Sequence, residues 1–427
     1  MQFQSLDIDC AGDFIEVHDG SDGSARKIGH FCGTADSTRF NSTGNQMYVK
    51  LTTDGSNQQE GFEARFNTIE TAAGTKECQV PFNGTIRNEP LILKDQDYLM
   101  PNNAKSIIIE DNALVICPGA KFFDDENHMD VKCSRSGLIR GNNNHPVNVE
   151  DLDCSRSIQE SIQASNQVCG PESKGQVVEV GWEIPALSRF KSQFSVCHNR
   201  ALEHTYYTEH VIRGSHISNR LNDKYRPRFK EGRGFYTKDS ANDLYSARIR
   251  IMREEGGLQN IYSRGHLTPN ADFVLNEMQD ATFYYFNAIP QWSSINGGNW
   301  NALEQSIRNL ASKLNQDVQV QTGPWGLNGY LGNNTIPIPK YVWKLVVADS
   351  KAIAFVITNF VQDDNESEIE DLCPDDQDDL CEETLWIFPH RTEAQRGRMY
   401  CCTYQSIQKS IPWIKHYDNV GLLTNII

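Results

Sequence analysis

Along the first seventy residues apolar and polar positions alternate in short runs, among them Phe14-Ile15-Glu16-Val17 and Met47-Tyr48-Val49-Lys50-Leu51. Asp19-Gly20, Asp22-Gly23 and Asp54-Gly55 break these runs. A period of two with Asp-Gly punctuation predicts antiparallel strands and tight turns. Residues 67–77 are polar and small, without periodicity, and read as a linker. β-like runs return between 78 and about 180, as in Ser106-Ile107-Ile108-Ile109 and Ala113-Leu114-Val115-Ile116, alongside five cysteines. Beyond 181, alternating runs at 205–212 and 245–251 predict strands. Leu303, Ile307, Leu310 and Leu314 fall at i, i+4, i+7 and i+11 and predict an amphipathic helix over 302–314. The pattern is α+β: all-β modules at 1–69 and 78–180, then a mixed domain of sheet and helices at 181–427.

The most hydrophobic stretch, 344–360, is interrupted by Asp349, Ser350 and Lys351, short of the roughly 18 apolar residues a membrane-spanning helix needs. No membrane association is expected. Twelve cysteines and Asn-x-Ser/Thr sequons at Asn41, Asn83, Asn333 and Asn365 point to an oxidising compartment and a secreted glycoprotein, rather than to buried thiols of a cytosolic enzyme. Residues 1–10 have neither a basic start nor an apolar run, so the sequence reads as one that begins after processing or truncation.

The net charge of −16 is unevenly spread. Residues 363–383 carry twelve acidic side chains and no Lys or Arg, which leaves −4 for the rest of the chain. Between Arg189 and Arg264, fifteen Lys/Arg face eight Asp/Glu. A local basic surplus of this kind attracts a polyanion. The acidic segment reads as a solvated insertion.

That basic stretch leads into a window with candidate chemistry. Ser263-Arg264-Gly265-His266 is followed by Asn287-Ala288-Ile289-Pro290-Gln291 and then by Asn296, Trp300 and Glu304. In order and spacing this resembles the D-R-G-H, N-x-x-P-Q and N-x-x-x-W-x-x-x-E signature of the DNA/RNA non-specific endonucleases, the ββα-metal nucleases that include endonuclease G. The first segment resembles the later part of a CUB domain through Cys10-Ala-Gly-Asp-Phe-Ile-Glu-Val-His-Asp-Gly20, Gly29-His-Phe-Cys-Gly33, Thr53-Asp-Gly-Ser56 and Gly61-Phe-Glu-Ala-Arg-Phe66. The family's opening strands and first disulfide are missing. The CUB resemblance implies a Cys10–Cys32 disulfide, a surface for a protein partner, and a Ca²⁺ site at Asp9, Asp13 and Asp54, positions that also read as plain turn aspartates.

The nuclease resemblance implies metal-assisted hydrolysis of DNA and RNA, held by the phosphate backbone and cut to 5′-phosphate ends. Phosphodiester hydrolysis needs a base for water and stabilisation of the charge that builds on phosphorus. His266 is the candidate base, since a neutral imidazole can accept a proton near neutral pH. Asn296 is the candidate ligand of Mg²⁺, with Mn²⁺ as the alternative, and Glu304 would orient metal-bound water. Asn287 would lie near the scissile phosphate, and Trp300 would pack as core. Arg264 would contact phosphate, joined by an upstream arginine, either Arg226 or Arg228. Where most members carry Asp, this chain has Ser263, which keeps open a catalytically inactive nucleic-acid-binding or CUB-mediated interaction protein. A structural extracellular protein is a further alternative. His198, His204, His210 and His216 recur every six residues, but without partners in register they are read as something other than a zinc site. Cys373, Cys381, Cys401 and Cys402 read as disulfides rather than metal ligands.

Overall fold

In the computed structural model of the protein, the described residues are 1–34, 40–42, 46–57, 59–66, 77–82, 88–95, 97–102, 105–221, 226–237, 239–254, 261–360, 372–373 and 380–425. Most of the linker at 67–77, most of the acidic segment at 363–383, and Asn83 and Asn365 lie outside them. Asn41 and Asn333 are exposed. Two compact units share the chain: residues 1–80, 108–114 and 129–151 form one, and residues 81–107, 115–128 and 152–427 the other. The stretch at 78–180 contributes to both.

In the first unit two antiparallel three-stranded sheets enclose a small core. One sheet pairs Gln2–Ile8 with Gly33–Thr34 and Gly61–Arg65, and the other pairs Phe14–Asp19 with Arg26–Phe31 and Tyr48–Thr52. Alternation places Phe3, Leu6, Ile8, Ile15 and Val17 inside with Phe40. Cys10 and Cys32 are joined. The three aspartates considered for Ca²⁺ staple turns instead: Asp9 Oδ1 accepts the Ala11 N–H (3.2 Å), Asp13 Oδ1 the Asp54 N–H (2.7 Å) and Asp54 Oδ1 the Ser56 N–H (2.8 Å). Among the described residues no three His, Cys, Asp or Glu side chains gather as metal ligands.

The second unit is organised on a nine-stranded sheet that begins at Ser161. Its order is Ser161–Cys169, Gly175–Ile184, Arg189–Asn199, His204–Ile212, Val318–Trp325, Tyr341–Ala348, Lys351–Thr358 and Met399–Cys402, all antiparallel, with Gly421–Leu422 parallel to Lys351–Thr358. The Asp349-Ser350 interruption is the two-residue hairpin turn between two central strands, with φ of 46° and 59°. Both sheet faces are covered, so Tyr341–Ala348 is buried throughout. Val342, Lys344 and Val346 face the helix Asn301–Leu314, whereas Tyr341, Trp343 and Leu345 face the helix Tyr404–Ser410.

All twelve cysteines are paired, as Cys10–Cys32, Cys78–Cys133, Cys117–Cys154, Cys169–Cys197, Cys373–Cys402 and Cys381–Cys401. Gly175 leaves room for one bridge, because a Cβ there would come within 2.7 Å of Cys197 Sγ. One expectation is corrected. Residues 245–251 lie in the helix Ala241–Glu254, not in a strand. Ser240 Oγ accepts the Asp243 N–H (3.3 Å), and Ala241 and Tyr245 are buried one turn apart, so capping and i, i+4 burial outweigh a local alternation.

Candidate active site

Tyr262–His266 pairs antiparallel with Ala288–Trp292, setting Ser263 opposite Gln291 and His266 opposite Ala288. Alternation puts Tyr262, Arg264 and His266 on one face and Ser263 and Gly265 on the other. Asn359 ties this hairpin down: its Nδ2 donates to Pro290 O and Pro339 O (both 2.9 Å), and its Oδ1 accepts the Trp292 N–H (3.2 Å). Ser263 Oγ donates to Gln291 O (2.9 Å). The space a Gly265 side chain would need is filled by the Gln291 side chain, so this glycine serves hairpin packing, not a substrate.

His266 is 8% exposed and packs against the rings of Phe229 (4.9 Å) and Phe283 (4.8 Å), which also touch each other (5.1 Å). Burial, reinforced by the positive charge of Arg226, holds its pKa down at about 3. The imidazole is therefore neutral at physiological pH, and its buried Nε2 has no hydrogen-bond partner among the described residues. Arg226 is exposed, with its guanidinium 5.4 Å from the Phe283 ring, so of the two upstream arginines it is Arg226 that stands at the histidine. Arg228 is also exposed. Arg264 donates from Nε to Tyr285 Oη (2.9 Å) and lies over the Tyr245 and Tyr285 rings.

Asn287, the residue expected near the scissile phosphate, is tied to backbone. It is fully buried; its Nδ2 donates to Thr268 O and Thr282 O, and its Oδ1 accepts the Thr268 N–H, all at 2.9 Å. With both donors spent on backbone, the side chain pins the chain two residues beyond His266.

The Asn296–Trp300 turn kinks at Gly298 (φ −94°, ψ −122°), so Asn296 is not on a continuous helix with Glu304. Asn299 fixes the turn by donating to His390 O (2.8 Å) and Gly397 O (2.6 Å). Asn296 itself is half-buried, and its side-chain amide has no hydrogen-bond partner among the described residues. Leu267, Ile295, Trp300, Leu303 and Ile307, which adjoin His266, Asn296, Glu304 and Arg308 in the chain, belong to one core cluster.

Beneath Glu304 lies a charge network the sequence reading missed. Asp272 accepts from His210 Nε2 and from Arg308 Nη1, each at 2.8 Å, and all three side chains are buried. Lys344 donates to Thr322 Oγ1 (2.7 Å) and Leu267 O (3.4 Å), with its ammonium 4.7 Å from the Trp300 ring. Burial drives the Glu304 carboxyl upward and the Lys344 ammonium downward, each toward its neutral form, while the charge of each resists the shift of the other. Asp272 differs: burial opposes its charge, but His210 and Arg308 outweigh burial and hold its carboxyl below the usual range. A signal for Lys344 did exist, a lone lysine inside an apolar strand. For Asp272 and His210, 62 residues apart, there was none.

The sequence profile of the DNA/RNA non-specific endonucleases matches residues 173–381, and that of the CUB domain matches residues 1–66. The salivary endonuclease of Lutzomyia longipalpis is 29% identical over 314 residues, covering 67% of this chain and 72% of its own. Salivary protein Tsal1 of Glossina morsitans morsitans is 20% identical over 372 residues, 78% of this chain and 90% of its own. The mitochondrial nuclease EXOG of Danio rerio is 28% identical over 197 residues, 40% of this chain and 52% of its own. Residues 173–381 thus match the DNA/RNA non-specific endonuclease family, and residues 1–66 match the CUB domain.

Proposed function

We propose that this protein is a secreted, Mg²⁺-dependent endonuclease that hydrolyses DNA and RNA without regard to sequence and leaves 5′-phosphate ends. The observation that carries this reading is His266, a buried neutral imidazole whose Nε2 has no hydrogen-bond partner among the described residues, next in the chain to Leu267, whose carbonyl accepts from the Lys344 ammonium whose charge acts on Glu304. Six disulfides and the salivary relatives support secretion.

His266 takes the proton of the attacking water at Nε2. That atom is buried, so the phosphate reaches it only when the side chains covering it give way. The Asn296 amide oxygen, a hard donor free of other partners, suits Mg²⁺, which keeps most of its waters, and Glu304 would hold those waters in place. The metal would stabilise charge on the phosphate and on the departing 3′-oxygen. Arg308 retains N–H donors beyond those spent on Asp272 and Gln305, and they can meet the charge developing on phosphorus. Arg226 and Arg264 grip flanking phosphates. The binding is to the phosphate backbone, which carries no sequence information.

Incubating the purified full chain with supercoiled plasmid and with single-stranded RNA tests the reading. With Mg²⁺, nicking and RNA cleavage are expected, with 5′-phosphates on the products, and EDTA abolishes both. Retardation of plasmid on a gel without any cutting, across Mg²⁺ and Mn²⁺, would instead establish a nucleic-acid-binding protein.

The two upstream arginines are expected to behave differently. The neutral imidazole is the active form, so activity falls as pH drops through the His266 pKa. Removing the adjacent cation in Arg226→Ala raises that pKa and moves the acidic limb of kcat/KM to higher pH; Arg228→Ala leaves the limb in place. A pH–rate profile of both variants measures this, and equal shifts in the two would refute the assignment of Arg226 to the site.

A further inference from the structure

Asp272 and His210 take no part in the chemistry above, yet they occupy the most thoroughly buried ionic contact in the second unit. His210 belongs to the strand His204–Ile212 of the large sheet, Asp272 to the turn Asn270–Asp272 that follows His266, and Arg308 to the helix that carries Glu304. One carboxylate therefore joins three elements. Asp272 Oδ2 takes the His210 Nε2–H and Oδ1 takes an Arg308 N–H, at 2.8 Å each. On the far side of His210, Nδ1 lies 3.3 Å from Thr268 Oγ1, whose hydroxyl is also 2.8 Å from Thr208 Oγ1. An isolated carboxylate at this depth would be costly, and with both oxygens engaged it has one stable orientation.

We infer that Asp272, oriented by His210, is a positioning residue: it fixes the Arg308 guanidinium, and with it the turn of helix bearing Glu304, against the loop that follows His266. Asp272 touches no substrate. Its effect runs through Arg308, so its loss slows the chemical step and leaves substrate capture by exposed arginines untouched. The inference rests on the endonuclease reading of the same site.

Plasmid nicking by the full chain in Mg²⁺, with kcat and KM separated and thermal midpoints recorded, tests it. Asp272→Asn keeps shape but removes the charge and turns one of the two accepting atoms into a donor; kcat should fall about 10–100-fold with KM within about twofold. In an Arg308→Ala background the same substitution should cost almost nothing further, because residues acting as a unit are non-additive. His210→Gln, whose amide can replace the Nε2–H, should retain most of the activity that His210→Phe loses, and this pair decides the matter where Asp272→Asn does not fold. An unchanged kcat in Asp272→Asn, an undiminished cost in the Arg308→Ala background, or equal activity of the two His210 variants overturns the inference while the wild type still cuts. A wild type that leaves plasmid intact overturns the endonuclease reading itself.

Discussion

His266→Ala lowers kcat for plasmid nicking by about 10²–10⁴-fold, the range a positioned general base supplies. Substrate retention is largely unaffected, because binding rests on Arg226, Arg264 and their basic neighbours. The imidazole makes no hydrogen bond at Nε2. Its removal therefore leaves no polar partner stranded there, and the structural cost is the space it leaves against Phe229 and Phe283. Kinetics and unfolding can thus be separated: a variant that is folded and retards plasmid but does not cut it is the expected result. Cutting within tenfold of wild type would remove His266 from the role of base.

The histidine also leaves a mark on stability. Its pKa of about 3 in the folded chain lies below the roughly 6.5 of an unfolded histidine. Between those values the unfolded chain binds a proton that the folded chain refuses, so its contribution to stability is complete above about pH 6.5 and declines as pH falls toward 3. His266→Ala lacks this component, and its acid-unfolding curve over that window should be shallower than that of the wild type.

The parts of the site legible in the sequence were those encoded locally. Leu303, Ile307 and Leu310 announced the helix under Glu304 by their period, and Trp300 its place in the core. The clustered motif residues pointed to His266 and Asn296, and Cys10–Cys32 followed from the CUB resemblance. Residues 245–251 misled because alternation of apolar and polar residues coexists there with a Ser240 cap, and a seven-residue window does not register the cap. The i, i+4, i+8 spacing of Asn296, Trp300 and Glu304 does not register the break at Gly298, where the backbone departs from helical angles and packs against Arg396. Contacts between distant segments, Asp272 with His210 or Lys344 with Leu267, leave no periodic trace. They follow from which strands become neighbours in the nine-stranded sheet.

Asn287→Ala is expected to destabilise the second unit by about 2–5 kcal/mol, because it strands two buried backbone groups, each worth about 1–3 kcal/mol when left unsatisfied. Those groups are the Thr268 N–H and the Thr268 carbonyl, and Thr268 is fully buried, which limits rescue by water; the Thr282 carbonyl keeps the Tyr284 N–H (2.9 Å). Asn287→Asp should be worse still, since a carboxylate has no N–H to give and places negative charge against two carbonyl oxygens. The order of the two variants separates a structural asparagine from a phosphate-contacting one. A structural role predicts a large fall in the urea midpoint for both, aspartate lower than alanine, with residual activity following the folded fraction as temperature is reduced. Contact with substrate predicts the reverse, near-native midpoints and a loss of kcat that cooling does not restore. The second pattern would return Asn287 to the scissile phosphate, and would mean that the loop after His266 rearranges when nucleic acid binds.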